Sequence, residues 1–110
     1  MINSDVIRGH IDSIIIKLLL EKDMYGYEIA GEIKARTQNK FDIKEATLYS
    51  VVQRLEQREL ISSYIGEKTH GGKRRYYRVT PLGRAYYKET LVEWKLLREI
   101  MRAMLGDDVE

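Results

Sequence analysis

Apolar positions recur along this chain first with the period of helices and then with that of strands. Ile7, Ile11, Ile14, Ile15 and Leu18 share one face of a helix predicted from Asp5 to Glu21, with Asp5 as its cap. Asp23-Met24-Tyr25-Gly26 breaks the period, and Tyr25, Ile29 and Ile33 open a second helix that ends near Thr37 to Asn39. A third helix is predicted from Asp42 to about Glu59, with Asp42 and Glu45 as a capping pair. Leu48, Val51, Val52 and Leu55 form its buried side, so Thr47, Tyr49, Ser50, Gln53 and Arg54 project elsewhere.

Beyond Leu60 the composition turns to Ile, Tyr, Val, Ser and Thr, over Ile61 to Lys68 and again over Arg74 to Thr80. His70-Gly71-Gly72-Lys73 lies between these runs, and paired glycines supply the backbone angles of a tight turn, so the two runs read as a β-hairpin, a wing. Thr80 followed by Pro81 is the start signal of a fourth helix, predicted to reach about Leu105, with a frayed tail from Asp107. Tyr87, Thr90, Trp94, Leu97, Met101 and Met104 alternate at spacings of three and four, the seam of a coiled coil, widened by Leu91, Ile100 and Leu105. A helix of that length outruns the core of so small a domain, which predicts a second copy as partner and Tyr87, Leu91, Trp94, Leu97, Met101 and Met104 as dimer contacts.

Composition narrows the function. With 110 residues, 44% hydrophobic and 33% charged, the chain reads as one folded unit with a modest core. It has no Cys, which removes disulfides, thiolate metal sites and cysteine nucleophiles. Its two histidines, His10 and His70, fall in different elements without carboxylates at ligand spacing, and Gly71-Gly72-Lys73 lacks the spacing of a phosphate loop. No catalytic residue, metal ligand or cofactor is therefore assigned. The apolar run from Ile14 to Leu20 is interrupted by Lys17 and is too short for a bilayer span, which points to a cytoplasmic protein that engages no membrane.

The net charge of +2 conceals an uneven distribution. The stretch from Ile61 to Thr80 holds Lys68, Lys73, Arg74, Arg75 and Arg78 against Glu67 alone, while the rest of the chain is close to balance. A basic hairpin in a nearly neutral protein is the footprint of a phosphate-binding surface.

Three helices, a basic hairpin and a long seamed helix, in this order, make an α+β winged helix-turn-helix with a dimerisation helix. The joints resemble one family, PadR, the phenolic acid decarboxylase regulators. The resembling stretches are Arg8-Gly9, Tyr25-Gly26-Tyr27-Glu28-Ile29, Thr47-Leu48-Tyr49 with Arg54-Leu55-Glu56, Gly72 with Arg74-Arg75-Tyr76-Tyr77, and Thr80-Pro81-Leu82-Gly83. Two positions depart from the pattern: Ser50 stands where the family usually has Pro, and Glu59 where it often has Gly before the closing Leu. The single C-terminal helix resembles the short subgroup, with residues 1–80 as the DNA-binding unit and 81–110 as the dimerisation helix of the same structural unit.

The resemblance implies a homodimeric repressor on a pseudo-palindromic operator in double-stranded DNA, with the third helix in the major groove and the wing on the backbone. Lys44, Thr47, Tyr49, Ser50, Gln53 and Arg54 are the candidate helix contacts. Lys73, Arg74 and Arg75 are the candidate phosphate contacts of the wing, with Lys68 behind them and the hydroxyls of Tyr25 and Tyr27 beside them. Tyr49 reads equally as a packing residue between helices, and of Tyr76 and Tyr77 one is expected to face the core and the other water. Trp94 reads as a dimer-core residue, or with Met101 as a contact for a small planar hydrophobic ligand, as in some relatives. The rival to a DNA-binding regulator is a winged helix that docks another protein; the consecutive cations beside a glycine tip favour DNA.

Overall fold

The computed structural model describes residues 2–66 and 72–109. Lys68, His70 and Gly71 of the predicted hairpin lie outside the described residues. The order of elements is α1 (Ser4–Ile7), a 3-10 turn (Arg8–His10), α2 (Ile11–Glu21), β1 (Met24–Tyr25), α3 (Gly26–Arg36), α4 (Glu45–Gln57), β2 (Ile61–Ile65), β3 (Arg75–Val79) and α5 (Pro81–Val109). Among the described residues no helix is long and apolar enough to cross a membrane.

The first predicted helix is therefore two helices joined by a tighter turn at Gly9. Its cap is Asn3, whose side chain accepts from the Asp5 amide at 2.8 Å, and not Asp5, which instead pairs with Arg8 at 2.6 Å. The third predicted helix also starts later than expected. Phe41 and Ile43 are buried on an extended approach, Lys44 occupies the cap position without a side-chain bond, and the pairing of Asp42 with Glu45 is not made. Sinking two apolar side chains into the core outweighed a local cap. The fourth helix runs past Leu105 to Val109, so Asp107 and Asp108 are helical and not frayed.

The sheet has three strands in the order β1-β3-β2, all antiparallel, and β1 was not predicted. Met24 and Tyr25 pair with Tyr77 and Tyr76, which stitches the start of α3 to the hairpin. Strand alternation places Tyr77 in the core and Tyr76 on the outer face. Burial holds the Tyr77 hydroxyl above its ordinary pKa, with Glu56 adding to the shift. One cluster built from Ile15, Ile16, Met24, Ile29, Leu48, Val52, Leu55 and Ile61 joins α2, α3, α4 and the sheet, with Tyr86 and Tyr87 of α5 packed on its edge.

The junction of α4, β2 and α5 fixes how the hairpin and the long helix leave the core. The Leu60 amide reaches back to the Leu55 carbonyl (3.0 Å) and the Glu59 amide to that of Glu56 (2.9 Å), closing α4 through Glu59 in the left-handed region, φ 61°. The helix thus ends in a closed turn at Glu59. Thr80 Oγ1 donates to the Glu59 carbonyl (2.7 Å) and accepts from the Gly83 amide (3.0 Å), so one hydroxyl caps α5 and ties it to the end of α4. A Cβ at Gly83 would lie 1.9 Å from the Leu60 carbonyl oxygen, so only glycine permits this approach.

Candidate nucleic-acid interface

Because α4 buries Leu48, Val51, Val52 and Leu55, Thr47, Ser50 and Gln53 project from it to solvent, with Lys44 exposed at its N-cap. Tyr49 is 47% exposed, yet its hydroxyl and ring edge lie over Gly26, where a Cβ would come within 3.0 Å. It therefore packs α4 against the start of α3 and is accessible as well. Tyr27, in the first turn of α3, is 80% exposed. Glu28 supports that turn by accepting from the Tyr25 amide at 3.3 Å.

Arg54 departs from this set. Its guanidinium donates to Asp12 of α2, and Arg58, the C-cap residue four positions on, reaches the other oxygen of the same carboxylate at 3.4 Å. Neither Asp12 nor Arg58 was singled out from sequence. The spacing of four between Arg54 and Arg58 was a visible sign that they share a flank; the partner in α2 had no local signal.

The wing's cations stand in three different settings. Lys73 and Arg75 are exposed, and Arg75 donates to Ser63 Oγ (3.0 Å), which itself donates to Glu56 (2.8 Å), so Arg75 is steered by a bond chain from α4. Arg74 folds its guanidinium over the Tyr25 ring, 4.3 Å from the centroid. Arg78 lies 4.6 Å above the Tyr64 ring, and both Arg78 (3.3 Å) and the Tyr64 hydroxyl (2.6 Å) donate to Asp23. That bond to Asp23 raises the Tyr64 pKa above the usual phenol value. Register explains the arrangement: Tyr25, Tyr76 and Tyr64 face one another across the three strands, with centroids 5.5 and 5.7 Å apart, and an arginine closes each end of the row. The row braces the wing against the start of α3.

The α5 residues divide in two. Tyr86 and Tyr87 are half-buried against the core, whereas Leu91, Trp94, Leu97, Ile100, Met101, Met104 and Leu105 are exposed along a stripe on which the Arg98 guanidinium lies 5.0 Å from the centroid of the Trp94 ring. A cavity of about 670 Å³ opens between α2 and α5, lined by Ile14, Leu18, Tyr86, Tyr87 and Trp94 among others. Met101, two turns beyond Trp94, is not part of its wall.

Residues 15–89 match the transcriptional regulator PadR-like family, from within α2 through α3, α4 and the sheet to the start of α5. The chain belongs to this family. An uncharacterised protein of Lysinibacillus sphaericus is 59% identical over 101 residues, 92% of this chain and 93% of the relative. Among solved structures, a transcriptional regulator from Clostridium thermocellum is 48% identical and superposes with a TM-score of 0.87 over 96% of this chain and 99% of the other. A PadR family transcription regulator from Clostridium difficile R20291 is 37% identical, with a TM-score of 0.76 over 89% of this chain and 100% of the other. The PadR-like family comprises transcriptional regulators and not enzymes, and the chain has its winged-helix fold, with one long C-terminal helix.

Proposed function

We propose that this PadR-like regulator is a homodimeric repressor that lays α4 in successive major grooves of a pseudo-palindromic operator and rests its wing on the flanking phosphates. The observation that supports this most is that Lys44, Thr47, Ser50 and Gln53, at the cap of α4 and along it, and Lys73 and Arg75, on β3 and its approach, are all exposed. Exposed polar side chains on a helix suit base edges, whereas guanidinium and ammonium groups on a braced wing suit phosphates and release counterions when they bind. Residues 1–80 are the DNA-binding unit and 81–110 the dimerisation helix, joined by the exposed stripe of Leu91, Trp94, Leu97, Met101 and Met104 to the same stripe of a second copy. Tyr87 carries that stripe into the core.

Arg74, stacked on Tyr25, contributes its positive field from a fixed position, and Tyr27 is free to offer its hydroxyl to a phosphate. A planar hydrophobic effector fits the cavity beside Trp94, with Met101 supplied from the facing helix of the dimer. Quenching or blue-shift of tryptophan emission across a panel of planar aromatic compounds checks that element, and an unresponsive Trp94 removes it.

Two variants separate the roles. Lys73→Gln removes one phosphate contact from each protomer, so it is expected to weaken binding to any duplex and to reduce the slope of log affinity against log salt by about 1.8 per dimer. Gln53→Ala is expected to cost about 1–3 kcal/mol per half-site on the cognate duplex and to relax preference at one base pair of each half-site while leaving the salt slope in place. Identical behaviour of the two variants in anisotropy titrations would refute this division of labour.

A further inference from the structure

Arg54 of α4 and Arg58 at its C-cap fall on one line, four residues apart, on the flank that turns toward α2. Both guanidiniums on that line converge on one carboxylate: Asp12 Oδ1 accepts from Arg54 and Oδ2 from Arg58. The Asp12 side chain is only 14% exposed, while those of Arg54 and Arg58 are 49% and 46% exposed. Arg58 is held a second time, its guanidinium carbon 4.9 Å from the centroid of the Tyr86 ring in α5.

The imbalance in this cluster is its informative property. One shielded anion faces two cations, so a unit of positive charge is left on that flank of α4. Each guanidinium keeps N–H donors beyond those used on Asp12. Half-exposed ion pairs contribute little to folding, so stability alone is a weak reason for two arginines on one carboxylate. Pre-ordering them has another consequence: a fixed guanidinium loses less side-chain entropy when it takes up a phosphate.

We infer that Asp12 is a positioning residue for DNA binding, holding Arg54 and Arg58 as a preformed, net-positive clamp for a backbone phosphate beside α4. This rests on the DNA-binding reading above, and it revises Arg54 from a freely projecting groove contact to one half of the clamp. Asp12 touches no DNA itself; it acts through the two arginines.

The test compares wild type, Asp12→Asn, Arg54→Gln and the double variant by fluorescence anisotropy on the duplex upstream of the protein's own gene and on a scrambled duplex, with a thermal melt of each protein. Asp12→Asn is expected to weaken binding to both duplexes about tenfold even though it removes a negative charge, with an unchanged melting temperature. The double variant, in which Asp12 no longer positions Arg58 either, is expected to bind worse than Arg54→Gln but by less than the sum of the two single losses, and Asp12→Glu to recover part of the loss. Tighter binding of Asp12→Asn to both duplexes would mean that the carboxylate only repels phosphate, and would overturn the inference. So would additive losses in the double variant, or equal losses on both duplexes that follow a lowered melting temperature. A wild type that does not distinguish the duplexes would defeat the DNA-binding reading first, whereas a discriminating wild type with an unaffected Asp12→Asn would defeat this inference alone.

Discussion

Glu59 holds a left-handed backbone, φ 61°, at the end of α4, where a Cβ crowds the neighbouring carbonyl. Glu59→Gly is therefore expected to stabilise the fold by about 1 kcal/mol, seen as a rise in melting temperature of roughly 4 °C or more. An unchanged or lowered melting temperature would show that the Glu59 side chain contributes something the hydrogen bonds do not reveal. At this scale the sequence was readable where the signal and its partner are neighbours. Thr80 and Pro81 start α5 as expected because the hydroxyl and the Gly83 amide lie three residues apart. Asp5 and Asp42 looked equally good as caps, but Asn3 sat closer to a free amide and burial of Phe41 and Ile43 drew the chain past Asp42. Strand β1 was invisible because two residues carry no period, and their partners are Tyr76 and Tyr77, far along the chain.

Between elements, the best-defined electrostatic contact joins α2 to α3. Arg36 donates to Glu21 at 2.6 and 2.8 Å and also to Glu32 (3.0 Å), and Lys17 approaches Glu21 at 3.3 Å. The Arg36 hydrogen bonds, helped by Lys17, lower the Glu21 pKa from 4.5 to about 2 and raise that of Arg36. A carboxylate whose pKa is depressed in the folded state contributes stability above its unfolded value and loses it as pH falls through the folded one. The melting-temperature gap between wild type and Glu21→Gln is accordingly expected to be constant above about pH 5 and to close between pH 4.5 and 2. A gap that persists to pH 2 would assign the effect to packing instead. The exposed polar positions of α4 were legible because their complement, the buried face, is strictly periodic; the clamp on Asp12 was not, since nothing near Arg54 in sequence names a partner 42 residues away.

At the scale of the molecule, α5 dominates the shape. Its 29 residues span about 43 Å. The protein measures 53 × 29 × 21 Å with a radius of gyration of 15.5 Å, against about 13 Å for a compact chain of this length. The excess is the exposed half of α5, and the spacing of its apolar residues announced it in the sequence. Leu97→Glu places a charge in the centre of that stripe and is expected to convert a dimer into a folded monomer in sedimentation velocity, with operator affinity falling by more than tenfold as the second half-site is lost. A wild type that sediments as a monomer at micromolar concentration would contradict the pairing of the stripes.

The central claim is that this fold reads a DNA sequence. Anisotropy of the wild-type protein titrated onto the duplex upstream of its own gene and onto a scrambled duplex, across a salt series, addresses it directly. The account predicts tight binding to the upstream duplex, weak binding to the scrambled one, and a steep linear fall of log affinity with log salt on both. Equal affinity for the two duplexes, or no binding at low salt, would contradict it.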